Sequence, residues 1–218
     1  MKKRRNIITV AIDSPAAAGA GTQAKLIAKH YNLQHLDTGR IYRLIGKLKL
    51  DNSKKFNLSL VKKKIKNIKI KDLNNKTLLS DKVATSAAMI ARDKKIRKVV
   101  HKFQQKCAYS PPSRYAGSIL DGRDIITIQV KDAMFKFFIT ASLETRAKRR
   151  FKEYKSLKKK ISYKEVLKSL KNRDKSDRQR KYGPLKKTKD SILINTTKLS
   201  RKRCFEKIKA IMDRKLKY

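Results

Sequence analysis

The chain has 218 residues, enough for one well-cored domain with insertions or for two small ones, and no apolar run long enough to cross a membrane. Sixty Lys and Arg against 17 Asp and Glu give a formal net charge of +43, a field that attracts anionic ligands and repels cationic ones. Two distant cysteines and three scattered histidines offer no disulfide framework and no zinc-ligand spacing.

Forty-three of the 60 cations are Lys, spread along the whole chain, so the charge reads largely as solvated surface. Nucleic acid is expected to be held only non-specifically, through charge, with strong salt dependence. A basic RNA-associated protein without enzymatic activity stays open as an alternative. Met1-Lys2-Lys3-Arg4-Arg5 is basic, but the apolar segment after it is too short for a secretory signal core, and a cytoplasmic protein is expected.

In chain order, Ile7-Ile8-Thr9-Val10-Ala11-Ile12 is apolar and β-branched, and predicts a strand buried on both faces. The small-residue turn Ser14-Pro15-Ala16-Ala17-Ala18-Gly19-Ala20-Gly21-Thr22 follows, then a helix carrying Ala24, Leu26, Ile27, Ala28 and Tyr31. Strand, small-residue loop and helix is the layout of a phosphate cradle, in which backbone N–H groups and the helix dipole favour an anion. Alone, such a degenerate loop is more often an ordinary strand-to-helix turn than a phosphate cradle. Gln34 to Gly39 predicts a second strand ending in a turn. Asp37 and Thr38 then lie at a strand's carboxyl end, where open α/β sheets place ligands.

A helix over residues 40–50 comes next. Residues 51–80 are polar and Lys-rich, with a short amphipathic helix through Leu58, Val61 and Ile65, a half-exposed strand at Ile68-Lys69-Ile70-Lys71, and a turn at Asn74-Asn75. Residues 82–109 are helical in two pieces that break near Asp93, and Pro111-Pro112 ends the run. Gly117 to Leu120 is a third strand, ending in the polar cluster Asp121-Gly122-Arg123-Asp124. A fourth strand covers residues 133–139, and Ser142 caps a helix running through Arg149 and Arg150. Ser162-Tyr163-Lys164-Glu165 fits a capping box for the helix that leads into Arg173, Asp174, Asp177 and Arg180, and Gly183-Pro184 breaks the pattern. A fifth strand at 191–194 and a final amphipathic helix close the chain. Alternating strands and helices predict a parallel sheet covered on both faces.

Five motifs, in this order, resemble the bacterial cytidylate kinases, nucleoside monophosphate kinases of the P-loop class. Residues 14–22 match the family's glycine-rich loop, and Leu36-Asp37-Thr38-Gly39-Arg40-Ile41-Tyr42-Arg43 its second motif. Ile96-Arg97 with Gln104 and Gln105 matches the third. Asp121-Gly122-Arg123-Asp124, Thr127, Asp132-Ala133, Lys136, Phe138, Thr140-Ala141-Ser142, Arg146, Arg149 and Arg150 match the fourth. Arg173-Asp174, Asp177, Arg180 and Pro184-Leu185 match the fifth.

The resemblance implies a three-layer α/β P-loop fold, a five-stranded parallel sheet flanked by helices. It implies one domain with a core of residues 1–38, 116–147 and 188–218, an NMP-binding insertion at about 39–115 and a lid at about 148–187. It implies phosphoryl transfer from ATP to CMP or dCMP, with Mg²⁺, in a protein expected to be monomeric. Residues 14–22 would wrap the ATP phosphates, with Thr22 on the Mg²⁺ side. Thr38, Tyr42, Arg43, Arg97, Asp121, Arg123 and Asp124 would hold the CMP. Arg123, Arg173, Arg180 and Asp177 would engage the nucleotides during transfer. Arg146, Arg149 and Arg150 read either as nucleotide contacts or as a solvated helix face. The pattern departs at Ala20, which stands where the family's loop has lysine, at Ile126, where it has glycine, and at Ala88, where it has a CMP-contacting serine. Lys25 cannot substitute for that lysine, since five residues along a helix turn roughly 140° around its axis. A nucleotide-binding relic with little catalysis is the alternative that Ala20 opens.

Overall fold

The computed structural model describes residues 7–217; the basic residues 1–5 fall outside it. Its sheet is made of β1 (Ile8–Asp13), β2 (Leu33–Asp37), β3 (Gly117–Gly122), β4 (Phe135–Thr140) and β5 (Ile192–Asn195), all parallel, in the order β2-β3-β1-β4-β5. The helices are α1 (Ala20–His30), α2 (Thr38–Asp51), α3 (Leu58–Lys66), α4 (Asp81–Ile90), α5 (Lys94–Tyr109), α6 (Leu143–Ser156), α7 (Tyr163–Gln179) and α8 (Arg201–Leu216).

The two faces of the sheet follow from strand periodicity. Val10 and Ile12 of β1, Ile119 of β3 and Phe137 and Ile139 of β4 pack against α1 and α8 through Ala24, Ile27, Ile208 and Met212. Ala11 and Leu120 point the other way, into a core shared with α2, α3 and α5 through Ile41, Ile45, Val61 and Val100. Adjacent residues thus serve opposite cores, as a period of two requires. A third, smaller core joins α6 and α7 to the first loop: Ala147, Val166 and Leu170 close over Ala16.

Local signals explain most element ends. Asp37 caps α2 by accepting from the Arg40 N–H, and Asp93 caps α5 at the predicted break. Ser162 and Glu165 form the expected capping box of α7. Helix α7 runs on to Gln179, so Arg173, Asp174 and Asp177 are helical rather than in a loop.

The strand expected at residues 68–71 does not form. Residues Ile70–Asn74 and Lys76–Leu79 are two short 3₁₀ turns. Asp72 accepts from the Lys69 N–H at 3.0 Å, Asn75 caps the second turn, and Leu73 and Leu78 turn inward. Alternation over four residues cannot make a strand without a neighbouring edge to pair with. Residues Ile125–Gln129, unassigned from sequence, form one turn of π-helix directly after Asp124.

β1 lies between β3 and β4, so the chain's crossover direction reverses there, and the crevice beyond the carboxyl end of β1 is the switch point of the sheet. Asp13 and Gly122 are register partners at that edge, as are Asp37 and Asp121.

Candidate functional site

The first loop is held from several sides. The Ser14 N–H donates to the Gly122 carbonyl at 3.2 Å, Arg146 Nη1 donates to the Ala16 carbonyl at 3.2 Å, and the Thr196 hydroxyl donates to the Ala18 carbonyl at 3.0 Å. Ala17 (φ 61°) and Gly19 (φ 95°) both take the left-handed conformation, which glycine accepts freely and alanine only with strain. No side chain caps α1 and its first turn holds no acid, so its leading N–H groups are left for an anion. Beside the loop lies a cavity of about 500 Å³ lined by Ala17, Gly19, Thr22, Arg149, Arg150 and Arg201, among others. Ala20 contributes no charge there: it is buried in the apolar core with Val10, Ile12 and Ala24.

Across the switch point, Asp124 is buried and gathers three partners. Arg97 pairs with it, Gln129 Nε2 donates to its Oδ2 at 3.1 Å, and Arg180 Nη2 approaches its Oδ1 at 3.4 Å. Arg97 also donates to the Ala91 carbonyl at 3.2 Å and stands 5.8 Å from the centre of the Tyr42 ring. Among the described residues the buried Tyr42 hydroxyl has no hydrogen-bond partner, and burial pushes its pKa up to about 12. Arg123 donates through Nε to Asp177 at 2.8 Å and through Nη1 to the Gly122 carbonyl at 3.0 Å. Asp177 also lies 3.9 Å from both Arg173 and Arg180. Thr38 donates to the Asp121 carbonyl at 2.8 Å, and the Asp121 carboxylate is hydrogen-bonded to His35 at 2.7 Å. Burial, then the Asp121 charge, raises the Asp37 carboxyl above its usual range.

Guanidiniums crowd between these two halves. The Arg173 side chain is half exposed, yet its pKa falls to about 10, first from partial desolvation among its neighbours and then from repulsion by Arg123, with Arg43 and Arg150 contributing further. Arg43 is lowered in the same way, by burial and then by Arg150, while its Nη1 donates to the Leu78 carbonyl at 2.8 Å. Arg150, with Glu153 as its partner at 3.1 Å, thus faces both the cavity of the first loop and the cluster around Arg173.

The expected residues therefore form one continuous constellation. Gly21 ties the loop to the rest, since a Cβ there would stand 3.5 Å from the Asp121 carboxylate. Arg146 is no solvated face: it is buried and grips Asp174 through two bonds of 3.1 and 2.6 Å. Arg149 donates to the Thr196 hydroxyl and carbonyl at 2.8 and 2.6 Å.

Residues 10–214 match the family model described as cytidylate kinase. The chain belongs to the cytidylate kinase family. A cytidylate kinase of Clostridium botulinum is 36% identical over 218 residues, covering 95% of this chain and 98% of that protein. One from Bartonella tribocorum is 41% identical over 196 residues (88% and 87%), and one from Fusobacterium nucleatum 39% identical over 204 residues (88% and 91%). A solved structure of an uncharacterized protein from Eubacterium ventriosum shares the fold, with a TM-score of 0.54 at 18% identity over 94% of this chain and 98% of its own. Among the described residues no helix is long and apolar enough to cross a membrane.

Within this cytidylate kinase fold, three residues escaped the sequence reading. Thr196 anchors both Arg149 and the first loop, but nothing in its sequence surroundings marks it. Gly183 read only as a break, yet it has φ 60°, and a Cβ there would lie 2.5 Å from both Arg97 Nη2 and Asp124 Oδ2. Asp13, which lies between the predicted strand and the small-residue turn, is fully buried and accepts the N–H groups of Ile125 and Ile126 at 2.8 and 3.0 Å. A charged residue closing an apolar strand was the available signal.

Proposed function

We propose that the chain transfers the γ-phosphoryl group of ATP to CMP or dCMP, giving ADP and CDP or dCDP. The observation that carries this reading is the gathering of Arg43, Arg123 and Arg150 near Arg173, with Asp177 pairing both Arg123 and Arg173, between the loop cavity and the pocket of Tyr42 and Asp124. Like charges repel at such range, and two phosphorylated nucleotides laid end to end supply the negative charge that balances them. Planar guanidinium also matches phosphate oxygens two at a time, which ammonium does not. In a chain whose ordinary cation is Lys, arginine at these positions fits that need.

In this reading the loop residues 14–22 hold the donor phosphates through backbone N–H groups. Arg97 and Arg123 hold the acceptor phosphate, Thr38, Tyr42, Arg43 and Asp121 line its site, and Asp124 reads the sugar or base. An acceptor phosphate oxygen attacks the γ-phosphorus as the bond to the bridging oxygen of ADP breaks. That oxygen is already anionic, so no general base is required, and the residues contribute alignment and cations over the spreading charge. Arg173 and Arg180, anchored by Asp177, close from the lid, residues 148–187, against the NMP-binding insertion, residues 39–115. Closure excludes water and limits ATP hydrolysis.

Among the described residues no group of three or more His, Cys, Asp or Glu side chains could hold a metal unaided, whereas the exposed Thr22 hydroxyl lines the donor cavity. Thr22 would be the protein contact for Mg²⁺ brought in with ATP, and the ion would supply charge neutralisation there. Losing one preorganised donor, as Ala20 does, costs roughly 10²–10³ in rate. Arg149 and Arg150 both line the donor cavity, and Arg149 Nη1 would stand 4.0 Å from a Cβ at Gly19, so these are the cations there to offset that loss.

A coupled ADP-release assay with CMP, dCMP and UMP tests the proposal. CMP- and dCMP-dependent release supports it. Nucleotide binding without turnover points instead to a relic, and RNA binding that survives physiological salt with no CMP affinity points to a non-enzyme.

A further inference from the structure

The crevice owes its shape to a carboxylate that touches neither proposed substrate. Asp13, the last residue of β1, has no solvent exposure. Its two oxygens each accept one backbone N–H, from Ile125 at 2.8 Å and Ile126 at 3.0 Å. Those two groups open the π-helical turn that follows Asp124, and the leading N–H groups of a helical turn have no partner within it. Both isoleucines are buried, so water is not at hand to satisfy them. The residue after Asp13 begins the phosphate loop, and the Ser14 N–H reaches the Gly122 carbonyl just before Arg123.

We propose that Asp13 is a positioning residue: by bridging the end of β1 to the turn after Asp124, it sets the spacing between the donor loop and the Arg123-Asp124 step that holds the acceptor. This rests on the phosphoryl-transfer reading above. Only an ionised carboxylate accepts two N–H groups equally; a carboxamide accepts one and turns its own donors toward the other. The charged groups facing Asp13 are Asp124 and Arg123; its register partners Gly122 on β3 and Phe138 on β4 are uncharged. Burial raises the Asp13 carboxyl to about 7, against the two N–H bonds that lower it, with Asp124 raising and Arg123 lowering it further. The bridge is therefore fully made above neutral pH and weakens below it.

The test has two arms. In the free protein, the backbone amide signals of Ile125 and Ile126 are followed by NMR from pH 5.5 to 8.5; they are expected to titrate together near pH 7. Flat signals together with rapid solvent exchange of both amides overturn the proposal, since a standing bridge to an ionised carboxylate would protect them; this arm needs neither catalysis nor a foldable variant. In the second arm Asp13→Asn is expected to raise KM for CMP about tenfold while KM for ATP changes less than threefold, and to abolish the amide titration. An equal rise in both KM values overturns the positioning role, since that is what general loosening of the fold produces. If the amides titrate but the wild-type protein shows no CMP-dependent turnover, the functional reading fails and the link between Asp13 and the turn stands.

Discussion

Gly183→Ala is the substitution whose consequence the structure defines most sharply. The loop that follows α7 crosses the buried Arg97–Asp124 pair at Gly183, whose φ of 60° is left-handed and whose missing Cβ would lie 2.5 Å from one atom of each partner. Alanine adds roughly 1–2 kcal/mol of backbone strain in that conformation. The overlap has two ways out. Splitting the buried pair costs roughly 3–5 kcal/mol, because one charge is left unpaired. Lifting the loop instead gives up the Arg180–Asp124 approach at 3.4 Å and the bond from the Leu185 N–H to the Asp177 carbonyl at 2.8 Å, roughly 1–3 kcal/mol. The second route is cheaper, so the lid end is expected to stay open by about 2–3 kcal/mol, roughly a 30–150-fold rise in KM for CMP. The assay is steady-state ADP release with CMP varied at saturating ATP, then the reverse, alongside thermal unfolding. KM for ATP should stay within about twofold, while the same 2–3 kcal/mol, taken from the free protein, should lower the melting temperature by several degrees. An unchanged KM for CMP with a fall of several degrees in melting temperature would show that Gly183 serves folding alone.

Arg146→Ala strands the partly buried Asp174 carboxylate and frees the Ala16 carbonyl, and is expected to cost roughly 2–4 kcal/mol in urea unfolding, with Arg146→Lys recovering little because it cannot bond through two nitrogens. Ala17→Gly relieves the left-handed alanine of the first loop and, after the added freedom of the unfolded chain, should raise stability by about 0.5–1 kcal/mol; a fall in melting temperature would contradict that geometry. Asp13 gives stability a definite pH dependence. Its folded pKa, about 7, lies above the ordinary value of 3.8, so the unfolded chain loses the proton first as pH rises. Its contribution is fully present below about pH 4 and is lost through pH 7, by up to about 4 kcal/mol. Wild-type stability should therefore fall relative to Asp13→Asn across that window, and a difference independent of pH would refute the assignment.

The strands and the large helices were legible because each carries its own period: the uncharged run at residues 7–12 and the capping box at Ser162 and Glu165 need no tertiary information. The segment at 68–71 misled because its alternation is real but its partner edge does not exist, and a sheet is decided by pairing rather than by one strand. The arginines at strand and helix ends were readable as phosphate ligands from their type and motif spacing. Arg146 was ambiguous because its partner Asp174 lies on the next helix, 28 positions away. Asp13 and Gly183 stayed hidden for the same reason: what each meets, two N–H groups or a buried ion pair, comes from distant segments brought together only by the closed fold.

The central claim is that two nucleotides meet across the arginine cluster and that one phosphoryl group passes between them. Incubation with CMP and ATP labelled at the γ-phosphate, followed by separation of products, tests this directly. Label is expected in CDP, with one ADP formed per CDP and loss of transfer in Arg123→Ala with ATP still bound. Label found only as inorganic phosphate, or transfer unaffected by Arg123→Ala, would contradict it.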